Sequence, residues 1–213
     1  MLVGERMTHP VIPVHPDTPV PEALTMMRRE HIRRMPVVQN GKLIGIVTDR
    51  DLLHASASSA TTLSIWELNY LLSKLTVEKV MSIDVLTVTE ATPIEEAART
   101  MADNKIGGLP VLRDGHVVGM ITETDLFRVL LEMTGAREMG VRATVLIPDT
   151  AGQLARLTHA VAEIGGNIVA LGTFAGEDTS NSTVMCKVIG VEPERLRAQI
   201  APLVERVIDL RVC

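Results

Sequence analysis

The chain twice places a threonine three residues ahead of an aspartate inside one repeated phrase: Thr48 and Asp51 in "GIVTDRDLL", Thr122 and Asp125 in "GMITETDLF". At a helix start the hydroxyl accepts from a free backbone N–H and the carboxylate reaches back, so the spacing reads first as a capping box. Such a cap stabilises a helix by roughly 0.5–2 kcal/mol and needs no ligand. The same corner also offers binding chemistry. A helix start turns unpaired N–H groups and the positive end of its dipole toward a phosphate. A carboxylate beside it can accept both hydroxyls of a ribose, as the acidic residue of dinucleotide folds does. Upstream of the two phrases the copies differ: Arg33 and Arg34 in "HIRRMP" stand where the second copy has Gly107 and Gly108 in "KIGGLP". Arginine's fork of donors suits a polyphosphate, and glycine lets a backbone come close, so the two corners are expected to be inequivalent. Arg33 and Arg34 read equally well as a solvated surface pair.

The elements that position these residues repeat too. At one constant offset, Met7 matches Met81, Val14 matches Val88, Thr18-Pro19 matches Thr92-Pro93, and Pro36-Val37 matches Pro110-Val111. Two tandem copies follow. In each, Val20, Ala23, Leu24 and Met27, or Ile94, Ala97, Ala98 and Met101, form one apolar stripe at helical spacing, with Pro19 or Pro93 suited to the first turn. "MPVV" and "LPVL" then lead through Asn40-Gly41 and Asp114-Gly115 into "KLIGIVT" and "HVVGMIT". Asn-Gly and Asp-Gly between β-rich runs signal a tight hairpin, because both turn residues need positive φ. Each copy reads strand, helix, strand, strand, helix.

Between the copies, "HASASSATTLSIWELNYLLSKLT" is small and polar at first and then sets Ile65, Leu68 and Leu72 at helical spacing beside Trp66 and Tyr70. A helix covering core surface, a ligand lid or a dimer contact would all fit. From Val141 the pattern changes. "VRATVLI" is a strand, "PDTAG" a turn, and Gln153 to Ile164 a helix with Leu154, Leu157, Val161 and Ile164 inward. "NIVALGTFA" and "STVMCKVIG" are strands, a helix runs from about Pro193 to Val204, and "RVIDLRV" closes the series. That order is ferredoxin-like.

Composition narrows the function. The net charge is −5 and 2% of residues are aromatic, which supplies neither a phosphate-tracking surface nor a base-stacking platform, so no nucleic-acid partner is expected. "MLVGERMTHP" carries Glu5 and Arg6 where a signal peptide needs an apolar run, and no stretch reads as a membrane span. A soluble, cytoplasmic protein is expected. Cys186 and Cys213 are too few for a disulfide framework or a four-ligand metal site, and the histidines show no ligand spacing, so no metal is assigned. No P-loop, GxGxxG or GxSxG element is present, which points away from an enzyme.

The tandem pattern resembles a pair of cystathionine-β-synthase (CBS) domains, a Bateman module, and the last segment resembles an ACT domain, with Asp149, Gly152 and Leu154 in its Asp-x-x-Gly-x-Leu motif. Together with the connector "LSIWELNYLLSKLTVEKVMS", this arrangement is similar to the acetoin-utilisation protein AcuB family. The resemblance implies an α+β chain: CBS copies at 1–56 and 77–132, a connector with a short helix at 57–76, a linker at 133–140 and a ferredoxin-like ACT domain at 141–213. It implies a non-catalytic regulator that senses an adenine nucleotide such as AMP or ATP, or another adenosyl compound. Asp51 and Asp125 would hold ribose, and Thr48 and Thr122 would face phosphate. It further implies an amino-acid effector near Asp149, Gly152 and Asn167, a homodimer, and a regulated metabolic enzyme as partner. A dimeric scaffold with vestigial sites is the alternative.

Overall fold

The computed structural model describes residues 1–58 and 74–213 and divides into two units, Met1–Leu126 and Phe127–Cys213. The connector positions Ile65, Trp66, Leu68, Tyr70 and Leu72 lie outside the described residues.

After a short helix α1 (Val3–Arg6), the first unit carries the repeat twice. Helices α2 (Val20–Arg29) and, in the second copy, α4 (Ile94–Asn104) bury Val20, Ala23 and Met27, and Ile94, Ala97 and Met101. Leu24 and Ala98 are half-buried at the stripe's margin. Pro19 and Pro93 take the extended cap position rather than the first turn. The hairpins β1 (Arg34–Gln39) with β2 (Lys42–Thr48) and β4 (Gly108–Arg113) with β5 (His116–Thr122) turn through Asn40-Gly41 and Asp114-Gly115, all four residues at positive φ. Each hairpin shifts register at the matching place, between Val37 and Val38 and between Val111 and Leu112. They run into α3 (Asp49–Ser58) and α5 (Glu123–Met133). The leading strand is the shortest part of each copy. In the second it is β3 (Val88–Thr89), parallel to β4, and in the first a single bridge from Val14 to Val37. Pro13 and Pro16 flank Val14 and cannot donate to a ladder.

The two copies exchange their first residues. Val3 and Gly4 donate to the carbonyls of Thr92 and Glu90 in the second copy at 2.9 and 3.0 Å, and Val77 and Glu78 donate to Thr18 and Pro16 in the first at 2.9 and 3.0 Å. A few residues on, Thr8 bonds Met120 in both directions and Ser82 bonds Ile46 likewise. Val77 is thereby fully buried in the first copy's core with Val20, Met35, Val37, Val47 and Leu52. The exchange also accounts for the glycine that opens each repeated phrase. A Cβ on Gly45 would sit 2.6 Å from the Met81 sulfur, and one on Gly119 would overlap the Met7 sulfur. Each glycine is the space that admits the other copy's methionine.

The second unit holds β6 (Val141–Pro148), α6 (Gln153–Glu163), β7 (Asn167–Ala175), β8 (Asn181–Ile189), α7 (Pro193–Ile200) and β9 (Arg206–Val212). Its antiparallel sheet has the order β7-β8-β6-β9, with both helices on one face over Val141, Ala143, Val145, Ile147, Val184, Cys186 and Val188. The buried stripe of α6 is Leu157, Ala160 and Val161. Leu154, expected inward, is 38% exposed in the first turn, and Ala160 completes the buried arc instead.

Candidate functional site

A cleft of about 790 Å³ in the first unit gathers Arg33, Arg34, Thr48, Asp51, Gly107 and Gly108, residues drawn from both copies. At its rim β2 passes directly into α3, and the Thr48-Asp51 pair makes the reciprocal cap. Asp51 Oδ2 accepts from the Thr48 amide at 2.9 Å and its hydroxyl at 2.7 Å, while the Asp51 amide reaches Thr48 Oγ1 at 3.3 Å. Both bonds to the carboxylate fall on one oxygen. Among the described residues Oδ1 has no protein donor, and Asp51 is half-buried on the cleft wall, so the cap leaves a carboxylate oxygen able to accept from a ligand.

The arginines and glycines prove to be two halves of one contact. A Cβ on Gly107 or Gly108 would overlap the Arg34 guanidinium, so the second copy's glycines make room for the first copy's arginine. Burial holds the Arg34 pKa below its ordinary value, with the positive charge of Arg33 acting the same way and Glu123 and Asp49 opposing. One terminal nitrogen of Arg34 is buried without a hydrogen-bond partner. Arg33, Arg50 and Lys105 bring further positive charge to the cleft, balanced by Asp49, Asp51, Asp84 and Glu123. Sequence reasoning missed Ser82, Asp84, Lys105 and Glu123. Lys105 and Glu123 lie inside the phrases "KIGGLP" and "GMITETDLF" already singled out, whereas Ser82 and Asp84 arrive only through the exchange of leading segments.

The second pair repeats the cap but not its setting. Asp125 Oδ2 accepts from the Thr122 amide and hydroxyl at 3.0 and 2.7 Å. Asp125 is 3% exposed, however, and the Thr8 hydroxyl stands 3.4 Å from its Oδ1. Neither Thr122 nor Asp125 lines the cleft. Ser82 holds the position matching Thr8 and is exposed on the cleft wall.

In the second unit the Asp149 amide donates to Ser180 at 2.7 Å, beside the β8 residue Asn181, and Gly152 caps α6 at φ +89°. Asn167 pairs with Ile189 at the far end of β8. The strand between spans about 26 Å at ~3.3 Å per residue. One chain therefore does not bring Asp149 and Gly152 together with Asn167. Among the described residues no helix is long and apolar enough to cross a membrane, and no group of three or more His, Cys, Asp or Glu is placed to hold a metal ion.

Comparison with known proteins agrees with this architecture. The CBS domain model matches residues 3–58 and 77–132, and the TTHA0829-like ACT domain model matches residues 139–211. A CBS domain-containing protein of Dictyostelium discoideum is 36% identical over 138 residues, covering 62% of this chain and 93% of that one. Among solved structures, a Vibrio cholerae protein named for acetoin utilization (AcuB) matches with TM-score 0.54 and 32% identity, over 65% of this chain and 98% of that one. The CBS domain pair of protein MJ0100, solved with 5′-methylthioadenosine and S-adenosyl-L-methionine, matches with TM-score 0.54 and 29% identity, over 65% and 98%. Five other curated relatives are longer, and the matched region spans about a fifth to a half of their length. The exchanged tandem copies and the ferredoxin-like sheet thus have their counterparts in sequence: the chain belongs to the CBS-domain family, as a CBS pair followed by a TTHA0829-like ACT domain.

Proposed function

We propose that this chain is a non-catalytic regulator whose cleft takes an adenosyl ligand, an adenine nucleotide such as AMP or ATP among them, and passes its occupancy to a partner protein. The observation that carries the reading is the Oδ1 of Asp51, which no described residue engages, set beside Thr48 in the same cleft as Arg33 and Arg34. Ribose hydroxyls donate to Asp51, an anionic group lies against the two arginines, and the buried nitrogen of Arg34 gains an acceptor. The adenosyl compounds in the MJ0100 pair support the choice of ligand class. A ligand switches the protein only by favouring one arrangement over another, so no bond need be made or broken. The acetoin name of the Vibrio cholerae structure suggests an enzyme of acetoin or acetate metabolism as the partner, in the cytoplasm and with the regulator as a homodimer. The effector role of Asp149, Gly152 and Asn167 then requires a second protomer to join the two ends of the sheet.

A second reading, a scaffold with vestigial sites, is favoured by one observation: both Thr-Asp pairs are satisfied as caps without any ligand. Calorimetric titration of the full chain with 5′-methylthioadenosine, S-adenosylmethionine, AMP and ATP separates the two. The sensor reading expects saturable binding of at least one, and replacing Arg33 and Arg34 with Ala should weaken ATP more than methylthioadenosine, in a salt-dependent way. Binding of none of the four would leave the scaffold.

A further inference from the structure

The ACT sheet has one face covered by helices and one that carries a row of like charges. Lys187 lies between the core residues Cys186 and Val188, Arg142 between Val141 and Ala143, and Arg211 beside Leu210, so strand alternation turns all three to the face away from the helices. They are also in register. Arg142 is the direct cross-strand partner of Lys187 on one side and of Arg211 on the other. Like charges directly opposite each other destabilise a sheet. Among the described residues one carboxylate is bonded to them: Asp209 accepts from Arg142 at 2.9 Å and from Arg211 at 2.6 and 2.9 Å. Lys187 is 2% exposed, and its ammonium is held at 3.0 Å by the carbonyl of Gly135, which carries no net charge. Nε of Arg142 is buried with no hydrogen-bond partner.

We propose that this row is an anion site, and that it takes a small organic anion bearing a carboxylate or phosphate against Arg142 and Arg211. Three cations face one aspartate, both guanidinium forks are partly exposed, and one buried N–H awaits an acceptor. Planar forks favour carboxylate and phosphate over chloride. The floor beside the row suits the rest of such a molecule: Met185 pairs with Thr144 and with Gly172, and the exposed ring of Phe174 leans over Gly172. This site is separate from Asp149 and Gly152, which stand at the opposite end of β6.

The test uses the full chain at constant ionic strength in sodium chloride, titrated in turn with inorganic phosphate and with succinate. The readouts are the Arg142 Nε–H resonance and the melting temperature. The expected result is a saturable displacement of that resonance, together with a rise in Tm, for at least one probe. Whichever probe saturates assigns the site to phosphate or carboxylate ligands. Arg211→Gln should weaken the effect at least tenfold, and Arg142→Lys, which keeps the charge but not the fork, should remove the anion-dependent rise in Tm. The Arg33→Ala, Arg34→Ala double variant should leave the displacement of the Arg142 Nε–H resonance intact, which separates this site from the CBS cleft. A linear drift matched by added chloride, an undiminished response in Arg211→Gln, or loss of the Arg142 Nε–H displacement in the Arg33, Arg34 variant overturns the proposal.

Discussion

Adding one methyl group at Gly45 tests the exchange of leading segments. In Gly45→Ala the new Cβ would lie 2.6 Å from the Met81 sulfur, 3.0 Å from its Cγ and 3.0 Å from the Ser82 carbonyl oxygen. Sulfur and carbon in contact need about 3.5–4 Å, so the methionine must move by about 1 Å. Ser82 cannot follow freely, because its amide and carbonyl both bond Ile46 at 2.9 Å. Overpacking of this kind costs about 1–3 kcal/mol. Met81→Ala alone, at a half-buried position, should cost about 1–2 kcal/mol, below the range for a fully buried methionine. Were the two sites independent, the double variant would lose roughly 2–5 kcal/mol. Since removing the side chain also removes the clash, it should instead recover at least ~1 kcal/mol of that sum. Urea denaturation of the four proteins measures the cycle. Additivity within about 0.5 kcal/mol would refute the contact and with it the exchange. The matched substitution, Gly119→Ala against Met7, supplies an internal control. It should cost similar stability yet spare cleft binding, because Ser82 and Asp84 line the cleft whereas Met7 and Thr8 do not.

Asp51→Ala should weaken adenosyl-ligand binding about ten- to a hundredfold, the equivalent of roughly 1.5–3 kcal/mol for a charge-assisted bond. Asp125→Ala should mainly lower the melting point, since that carboxylate is buried; calorimetry against thermal melts reads the contrast, and equal affinity losses would remove the asymmetry. Gly107→Ala should drive the Arg34 guanidinium from its place and destabilise the fold by about 1–3 kcal/mol, and Arg34→Ala in the same chain should restore part of that loss. Burial pushes the Cys186 thiol up to about 11 from an ordinary 9.0. The unfolded chain therefore releases this proton first, so the contribution is constant below pH 9 and stability falls as pH rises from 9 toward 11. The loss is about 2–3 kcal/mol, and Cys186→Ala should flatten that part of the profile.

Much of this protein is local physics, and local physics is written in residue order. The stripes Val20-Ala23-Met27 and Ile94-Ala97-Met101 require helices, Asn40-Gly41 and Asp114-Gly115 require positive-φ turns, and the alternation after Val141 requires strands, because each depends on neighbours a few positions apart. The Thr-x-x-Asp pairs cap their helices for the same reason. The rest was decided by contacts between segments distant in the chain. Val3 and Val77 carry the same local signal whether they pack in their own copy or in the other, and only the cores that accept them select the exchange. Identical Thr-Asp motifs part company because Thr8 closes over one carboxylate while Ser82 leaves the other open. Gly107 and Gly108 look like flexible backbone until Arg34 is seen to fill their space. Lys187, Arg142 and Arg211 lie far apart in sequence, and pairing of β8, β6 and β9 alone turns them into one charged row. Periodicity encodes which face a residue takes, whereas sheet register and copy exchange are set by the balance of packing over the whole fold, and that balance exists only once the chain has closed.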